Sequence, residues 1–160
     1  MKRRACLVCG LVFVMGCAYF AKPSPPVAPK NPDLLQFRLV EEKEGPDTVA
    51  MKVMGEDQTL HVSKQALLNA LDVRSAKATR GTPGHNTAVS LSLTREGAKK
   101  FDEVTAQNVN RRLAVIVDGH LMSAPVIRSR VEGGTAVITG SFTMKKAEEL
   151  ASAINSNVAK

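Results

Sequence analysis

Hydrophobic residues alternate with polar or mixed ones in three stretches near the start of the domain. Every second residue is apolar in residues 35–39 and again in residues 49–53, which follow the turn sequence EGPD. Alternation of this kind is typical of strands with one buried face. The pattern therefore predicts two strands joined by a turn, and the sequence TLHV at residues 59–62 predicts a third.

Three helices are expected further along the chain. The first is short and spans Lys64 to Leu71, and residues 76–93 then predict two strands around a loop that contains glycine and proline. The second helix follows Thr94, a favourable N-cap residue, and runs to about Asn108. The third begins near Thr143, and its apolar stripe consists of Ala147, Leu150, Ala151 and Ile154.

The sequence LAVIV at residues 113–117 is apolar at every position, so both faces of this strand must be covered. Asp118 and Gly119 follow it, and an Asp-Gly pair between two apolar runs favours a hairpin with a type I′ turn. Pro125 cannot donate a ladder hydrogen bond, so we expect the return strand to lie at an edge or to carry a bulge. Residues 132–140, EGGTAVITG, predict a turn and one more strand.

Two explanations account for a strand that is apolar on both faces. In the one we favour, the N-terminal strands of residues 34–62 fold back across the sheet and cover it. In the other, an extended partner chain docks on that face or on an edge strand.

The first 16 residues have the features of an export signal. The cationic start MKRR precedes an uncharged run from Ala5 to Gly16, about a dozen residues, whereas a membrane-spanning helix needs roughly 20. The run ends in VMGC, which resembles the lipobox of bacterial lipoproteins, so we expect cleavage before Cys17 and acylation of Cys17, palmitate included. Met15 is larger than the residue usual there, and cleavage after Ala18, releasing a soluble protein that begins at Tyr19, is the alternative.

Residues 17–33 are expected to join the acylated Cys17 to a domain of residues 34–160. Five of the eight prolines lie in AKPSPPVAPKNPD, which predicts an extended tether without hydrogen bonds over residues 18–33. Ala18 is not the Asp that retains many lipoproteins at the inner membrane, so the outer membrane is slightly favoured in a cell with two membranes.

Cysteine usage and charge exclude two further classes of function. Cys6 and Cys9 form a C-x-x-C pair but lie within the signal, so the mature domain has neither a redox pair nor a disulfide. Three of the 22 cations also lie in residues 1–16, which leaves 19 cations against 15 acids and a net charge of +4. Because no Lys or Arg cluster alternates with aromatic residues, nucleic acid is not an expected partner.

Two sets of polar residues are candidates for chemistry. Asp118, His120 and Ser123 are the acid, base and nucleophile types of a hydrolase, and His61, His85 and His120 are candidate metal ligands. The histidines are far apart in sequence without ligand spacing, and no third group visibly orients a base. We therefore interpret Asp118 and Gly119 as a structural turn and expect no catalysis, no metal and no cofactor.

Four segments in series resemble the head subdomain of the first periplasmic domain of SecD, the membrane subunit that assists bacterial protein export. They are LSLTREGAKKF, LAVIVDGHLMSAPVI, GGTAVITGSFT and AEELASAI, and the resemblance covers about residues 60 to 156. It implies an α+β, ferredoxin-like fold in which two helices pack on one face of an antiparallel sheet, with the N-terminal strands added. It also implies that Asp118 and Gly119 form a turn.

SecD proteins contain transmembrane helices that carry proton coupling, whereas this sequence ends at NSNVAK, so we expect a standalone head domain without the motor. The expected function is that of a non-enzymatic lipoprotein of the cell envelope that binds polypeptide or a protein partner, with a link to protein export implied by the resemblance. The alternatives are a structural envelope lipoprotein without a defined ligand and a hydrolase that uses Asp118 and His120. The sequence does not indicate an oligomeric state.

Acylation of Cys17 is testable by intact mass spectrometry of the native protein. The mature chain should begin at Cys17 and carry several acyl chains, which bind membranes at about 0.8 kcal/mol per buried CH₂ where one chain is marginal. An unmodified chain that begins at Tyr19 and fractionates with the soluble proteins would contradict this expectation.

Overall fold

The computed structural model describes residues 31–80, 87–140 and 143–158. Within these ranges the chain forms eight strands and two α-helices. The strands are β1 (Leu35–Glu41), β2 (Thr48–Lys52), β3 (Thr59–Asn69), β4 (Val73–Thr79), β5 (Ala88–Leu93), β6 (Leu113–Val117), β7 (His120–Ser123) and β8 (Thr135–Thr139). The helices are α1 (Arg95–Gln107) and α2 (Met144–Asn157).

The strands form two antiparallel sheets. The first has the order β2-β3-β1-β6-β7, and the second has the order β4-β5-β8. Helix α2 packs on β4 and β5, and α1 contacts β3 and β5. The α+β class and the antiparallel pairing agree with the sequence prediction, but the single ferredoxin-like sheet does not, because β4, β5 and β8 hydrogen-bond only with one another among the described strands.

The first sheet curls until its two ends meet. Val53, just after β2, forms a bridge with Leu121 of β7, and the amide of Met54 donates to the carbonyl of Leu121 at 2.8 Å. The curled sheet encloses a small apolar cluster that contains Val53, Leu60, Val62, Ala114, Ile116, Leu121 and Ala124. Its outer face packs with the second sheet and the helices in the larger core.

This arrangement explains why LAVIV is apolar throughout. Ala114 and Ile116 point into the small cluster, while Leu113, Val115 and Val117 belong to the larger core. The side chains that cover Ala114 and Ile116 come mainly from residues 53–62, as the favoured explanation required. A partner chain docked on the face of this strand is therefore excluded, because all five residues are already buried.

Both α-helices begin where the sequence predicted, the first after the N-cap Thr94 and the second near Thr143, which also proves to be an N-cap. The Thr94 hydroxyl accepts from the Gly97 amide at 3.0 Å, and the Thr143 hydroxyl accepts from the Lys146 amide at 3.3 Å. Among the described residues, neither helix is long and apolar enough to cross a membrane.

The prediction of a short helix over Lys64 to Leu71 is wrong. Strand β3 continues through Asn69, with Ala66 opposite Arg38 and Leu68 opposite Phe37 of β1. Eight residues of mixed pattern are too few to define a helical period, and pairing with a distant strand overrides such a weak local preference. Only a 3₁₀ turn at Ala70–Asp72 remains of the predicted helical segment.

The folded domain includes residues before the predicted boundary at residue 34. Pro32–Leu34 form a 3₁₀ turn, and the amide of Asn31 donates to the Asn157 side chain on α2 at 2.9 Å. Residues 31–33 therefore belong to the fold. The prediction that a tether without hydrogen bonds extends through residue 33 is wrong at these three residues. Residues 18–30 lie outside the described ranges.

Gly97, in the first turn of α1, packs tightly on the 3₁₀ turn. A Cβ atom on Gly97 would lie 2.2 Å from the carbonyl oxygen of Asp72, which already accepts from the Thr94 amide at 2.9 Å. We expect Gly97→Ala to lower the free energy of unfolding by about 1–3 kcal/mol, the usual cost of overpacking. Urea unfolding measures this, and Gly45→Ala is the control because nothing lies within 4 Å of a Cβ there. Equal stability of the two variants would contradict the close contact.

Candidate functional site

The loop between β6 and β7 contains only Asp118 and Gly119. Their φ angles are 50° and 74°, and Val117 pairs with His120 across the loop. Two successive positive φ angles are the backbone of a type I′ turn, which matches the twist of the flanking strands. Both residues are exposed.

The side chains of the candidate hydrolase residues are not hydrogen-bonded to one another. The Nδ1 atom of His120 lies 2.8 Å from the backbone carbonyl of Asp118, so the carboxylate does not orient the ring. The Oγ atom of Ser123 is buried and has no hydrogen-bond partner among the described residues. The turn therefore lacks the nucleophile-to-base contact that acyl transfer needs.

The candidate metal ligands are also separated. His61 lines a cleft of about 1030 Å³ together with Glu41 and Arg111, whose side chains pair with each other at 2.8 Å. His120 lines different clefts on the molecule. No cluster of three metal-ligating side chains occurs within residues 31–80, 87–140 and 143–158, and His85 lies outside them, as does Cys17.

An apolar groove of about 340 Å³ lies between β8 and the segment of residues 125–131. The side chains of Phe37, Phe101, Leu113 and Val115 line it, so it borders the larger core. Two large hydrophobic residues at this groove are exposed, Val126 at 45% and Val137 at 53%. Arg128 is the one charged residue among the described residues that line the groove.

The segment that forms one wall of this groove is fastened at both ends. Near β6 it continues the hairpin, since the Leu113 amide donates to the Pro125 carbonyl and the Ile127 amide donates to the Arg111 carbonyl, both at 2.9 Å. Pro125 lies just after β7, which is the last strand of its sheet and pairs with β6 through an irregular register. The prediction of an edge position or a bulge for this return strand is confirmed. At the other end, the Val131 amide donates to the Thr105 hydroxyl of α1 at 2.9 Å.

An ion pair reinforces the second attachment. Arg130 donates two hydrogen bonds to the carboxylate of Asp102 on α1, one of them at 2.6 Å, and also pairs with Glu132 at 3.3 Å. Hydrogen bonding from Arg130 lowers the pKa of Asp102 below its ordinary value. The pair is charged at neutral pH, and because the pKa of Asp102 is lowered in the folded state, its contribution is lost as the pH falls through that lowered pKa.

The opposite wall of the groove is strand β8, the last strand of the second sheet. It pairs with β5 on one side, and no other strand in the described residues pairs with its second side. The strand sequence TAVIT contains no charge and no proline, the features that usually protect exposed edges.

The other edge of the same sheet, strand β4, is covered by a side chain. The Asn155 side chain of α2 accepts from the Ala76 amide at 2.8 Å and donates to the Ala76 carbonyl at 2.7 Å. One side-chain amide thereby replaces a neighbouring strand at the middle of β4. Of the two edges, only that of β8 lacks such a cover among the described residues.

Sequence reasoning did not identify this groove. The uncharged TAVIT strand was the one available signal, because an edge without charges or proline needs either a cover or a partner. The covering role of Asn155 and the attachment of Arg130 to Asp102 leave no local pattern, since each joins residues far apart in sequence.

The fold and groove define an α+β domain with two antiparallel sheets and an edge strand, β8, whose second side has no partner among the described residues. Residues 47–158 match the family described as SecDF, P1 head subdomain, and the chain belongs to this family. The protein translocase subunit SecDF of Thermus thermophilus is 37% identical over 137 residues, covering 77% of this chain and 18% of that protein. The SecD subunit of Calditerrivibrio nitroreducens is 40% identical over 90 residues, covering 56% of this chain and 17% of that protein.

Solved structures agree with this assignment. SecDF in its super-membrane-facing form superimposes with a TM-score of 0.64 at 32% identity, covering 78% of this chain and 19% of that one. A second structure, described as a membrane component SecDF that enhances protein export, gives a TM-score of 0.63 at 33% identity, covering 78% of this chain and 62% of that one. The chain thus spans less than a fifth of the length of the two curated relatives.

The turn can be tested by two substitutions. We expect Asp118→Asn to leave stability almost unchanged, because asparagine tolerates positive φ, and Gly119→Val to cost about 1–3 kcal/mol. Nothing lies within 4 Å of a Cβ on Gly119, so that cost would come from the backbone and not from a clash. Thermal unfolding of both variants measures it. Loss of a measurable activity in Asp118→Asn at unchanged stability would instead show a catalytic aspartate.

Proposed function

We propose that this protein is a non-enzymatic binding module for unfolded polypeptide, anchored in the cell envelope and acting in protein export. The apolar groove beside β8 is the observation that carries the proposal. It combines exposed hydrophobic side chains with a floor that reaches the larger core, which is the surface an extended apolar segment needs. The related SecD and SecDF proteins are translocase subunits, which supports the link to export.

The absence of catalysis is part of this proposal. It is supported by the geometry of the loop, where His120 contacts a backbone carbonyl and Ser123 lacks a partner among the described residues. Asp118 and Gly119 serve in this proposal as the turn that sets the register of β6 and β7.

The anchor is the acyl group on Cys17, and the proline-rich residues 18–30 hold the domain away from the membrane. The proposal is supported by the signal-like residues 1–16 and the lipobox-like VMGC. At about 3.1 Å per residue, a polyproline-like tether of this length spans up to ~40 Å. Ala18 favours the outer membrane where the cell has two.

Site-specific photocrosslinking in living cells tests the proposed function. A photoreactive amino acid replaces Val126 or Val137 in the full chain, and an exported reporter protein is jammed part-way through translocation by a stably folded C-terminal domain. Both positions should crosslink to the jammed reporter, because both line the groove.

The matched control carries the same photoreactive amino acid at Leu71. That residue is 52% exposed, comparable to Val137, but does not line the groove. Equal crosslinking at all three positions, or none at any of them, would contradict a polypeptide-binding groove.

A further inference from the structure

We propose that the bound polypeptide adds to the second sheet as a new strand along the open edge of β8. This inference rests on the proposed function and specifies how the groove holds its ligand. The ligand class is an uncharged or acidic, extended apolar segment without proline.

The direction of the backbone groups of β8 follows from its pairing with β5. The Leu93 amide donates to the Gly134 carbonyl at 2.8 Å, which makes Leu93 and Gly134 a hydrogen-bonded pair in the same register as the strands. In an antiparallel ladder, hydrogen-bonded and non-hydrogen-bonded pairs alternate. Ala136 and Ile138 therefore bond to β5, while the N–H and C=O groups of Thr135, Val137 and Thr139 point to the open side.

The Asn155 contact supports this alternation independently. Leu91 pairs with Ala136 on one side and with Ala76 on the other. Because the backbone groups of Leu91 are used toward β8, those of Ala76 must point away from β5, and there they meet the Asn155 amide. The same geometry that gives Ala76 a side-chain partner leaves Val137 without one among the described residues.

The occupant of this edge is a single strand. The space beside β8 is bounded on its far side by residues 125–131, which are fastened to β6 and to α1. The groove has a volume of about 340 Å³ and two walls. We infer that it takes part of one extended chain and leaves no space for a folded sheet beside β8.

The charge of the groove selects among extended chains. Arg128 is exposed at the groove and forms no ion pair within the described residues. Arg130, in contrast, pairs with Asp102. An acidic residue beside the apolar segment would pair with this guanidinium, and a lysine in the same place would be repelled.

The test uses synthetic peptides and the full chain. The probe is an acetylated, amidated nonapeptide that alternates valine with threonine and carries a glutamate at each end. Its binding should slow hydrogen exchange at the amides of Thr135, Val137 and Thr139, measured by NMR. The amides of Ala136 and Ile138 should not change, because they already bond to β5.

Substitution at Val137 tests the backbone directly. Val137→Pro removes an N–H that points away from β5, so an edge strand tolerates it, and the affinity for the peptide should fall about tenfold. Val137→Thr keeps the N–H and the branched shape and serves as the matched control. A peptide that is N-methylated at alternate residues should bind more weakly than its parent, which tests the same contact without altering the protein.

The outcomes separate the two proposals. If the peptide binds but leaves the three outward amides unprotected, and the N-methylated peptide binds equally well, strand addition is wrong while polypeptide binding stands. If no peptide binds and the photocrosslinks are also absent, both proposals fail.

Two further outcomes concern the identity of the ligand. If the protein forms a concentration-dependent dimer that protects the same amides without peptide, the occupant of the edge is a second copy of this chain and not a peptide. Equal affinity for lysine-flanked and glutamate-flanked peptides would overturn the role of Arg128.

Discussion

Strand β6 is the constraint on which the rest of the structure depends, because it belongs to two cores at once. None of its five residues is more than 4% exposed. Fully burying an aliphatic side chain of this size is worth about 1.5–3 kcal/mol, and β6 contributes such side chains to both of its faces. The first sheet must therefore curl to cover one face, and the second sheet with the two helices must cover the other.

This double burial determines where the proposed polypeptide-binding groove lies. The interior of the curled sheet is filled by aliphatic side chains, and the outer face of β6 belongs to the core that contains side chains of the second sheet and both helices. At the boundary where β8 stops short of residues 125–131, Leu113 and Val115 of β6 line the groove. The groove is thus a consequence of how two sheets of unequal size meet over one central strand.

The two edges of the second sheet show how the fold handles unpaired backbone groups. A buried or exposed edge needs partners for its N–H and C=O groups, or it becomes a site of unintended pairing. Asn155 provides these partners for Ala76 with a single side chain, and the carboxamide suits the task because it both donates and accepts. An uncharged edge left open beside an apolar groove is prone to pair with another extended chain, which is the physical ground for proposing a ligand there.

The sequence by itself determined the features that depend on neighbouring residues. These features follow from side chains within a few positions of one another. They are the helix caps at Thr94 and Thr143, the Asp118–Gly119 loop and the need to cover both faces of LAVIV. The series of motifs also identifies the SecD head family from the sequence alone. Tertiary structure alone decided the division into two sheets, the strand at residues 64–69 and the choice of which edge stays open. These depend on pairings such as that of Ala76 with Asn155, 79 positions apart, and the sequence near either residue carries no trace of the other.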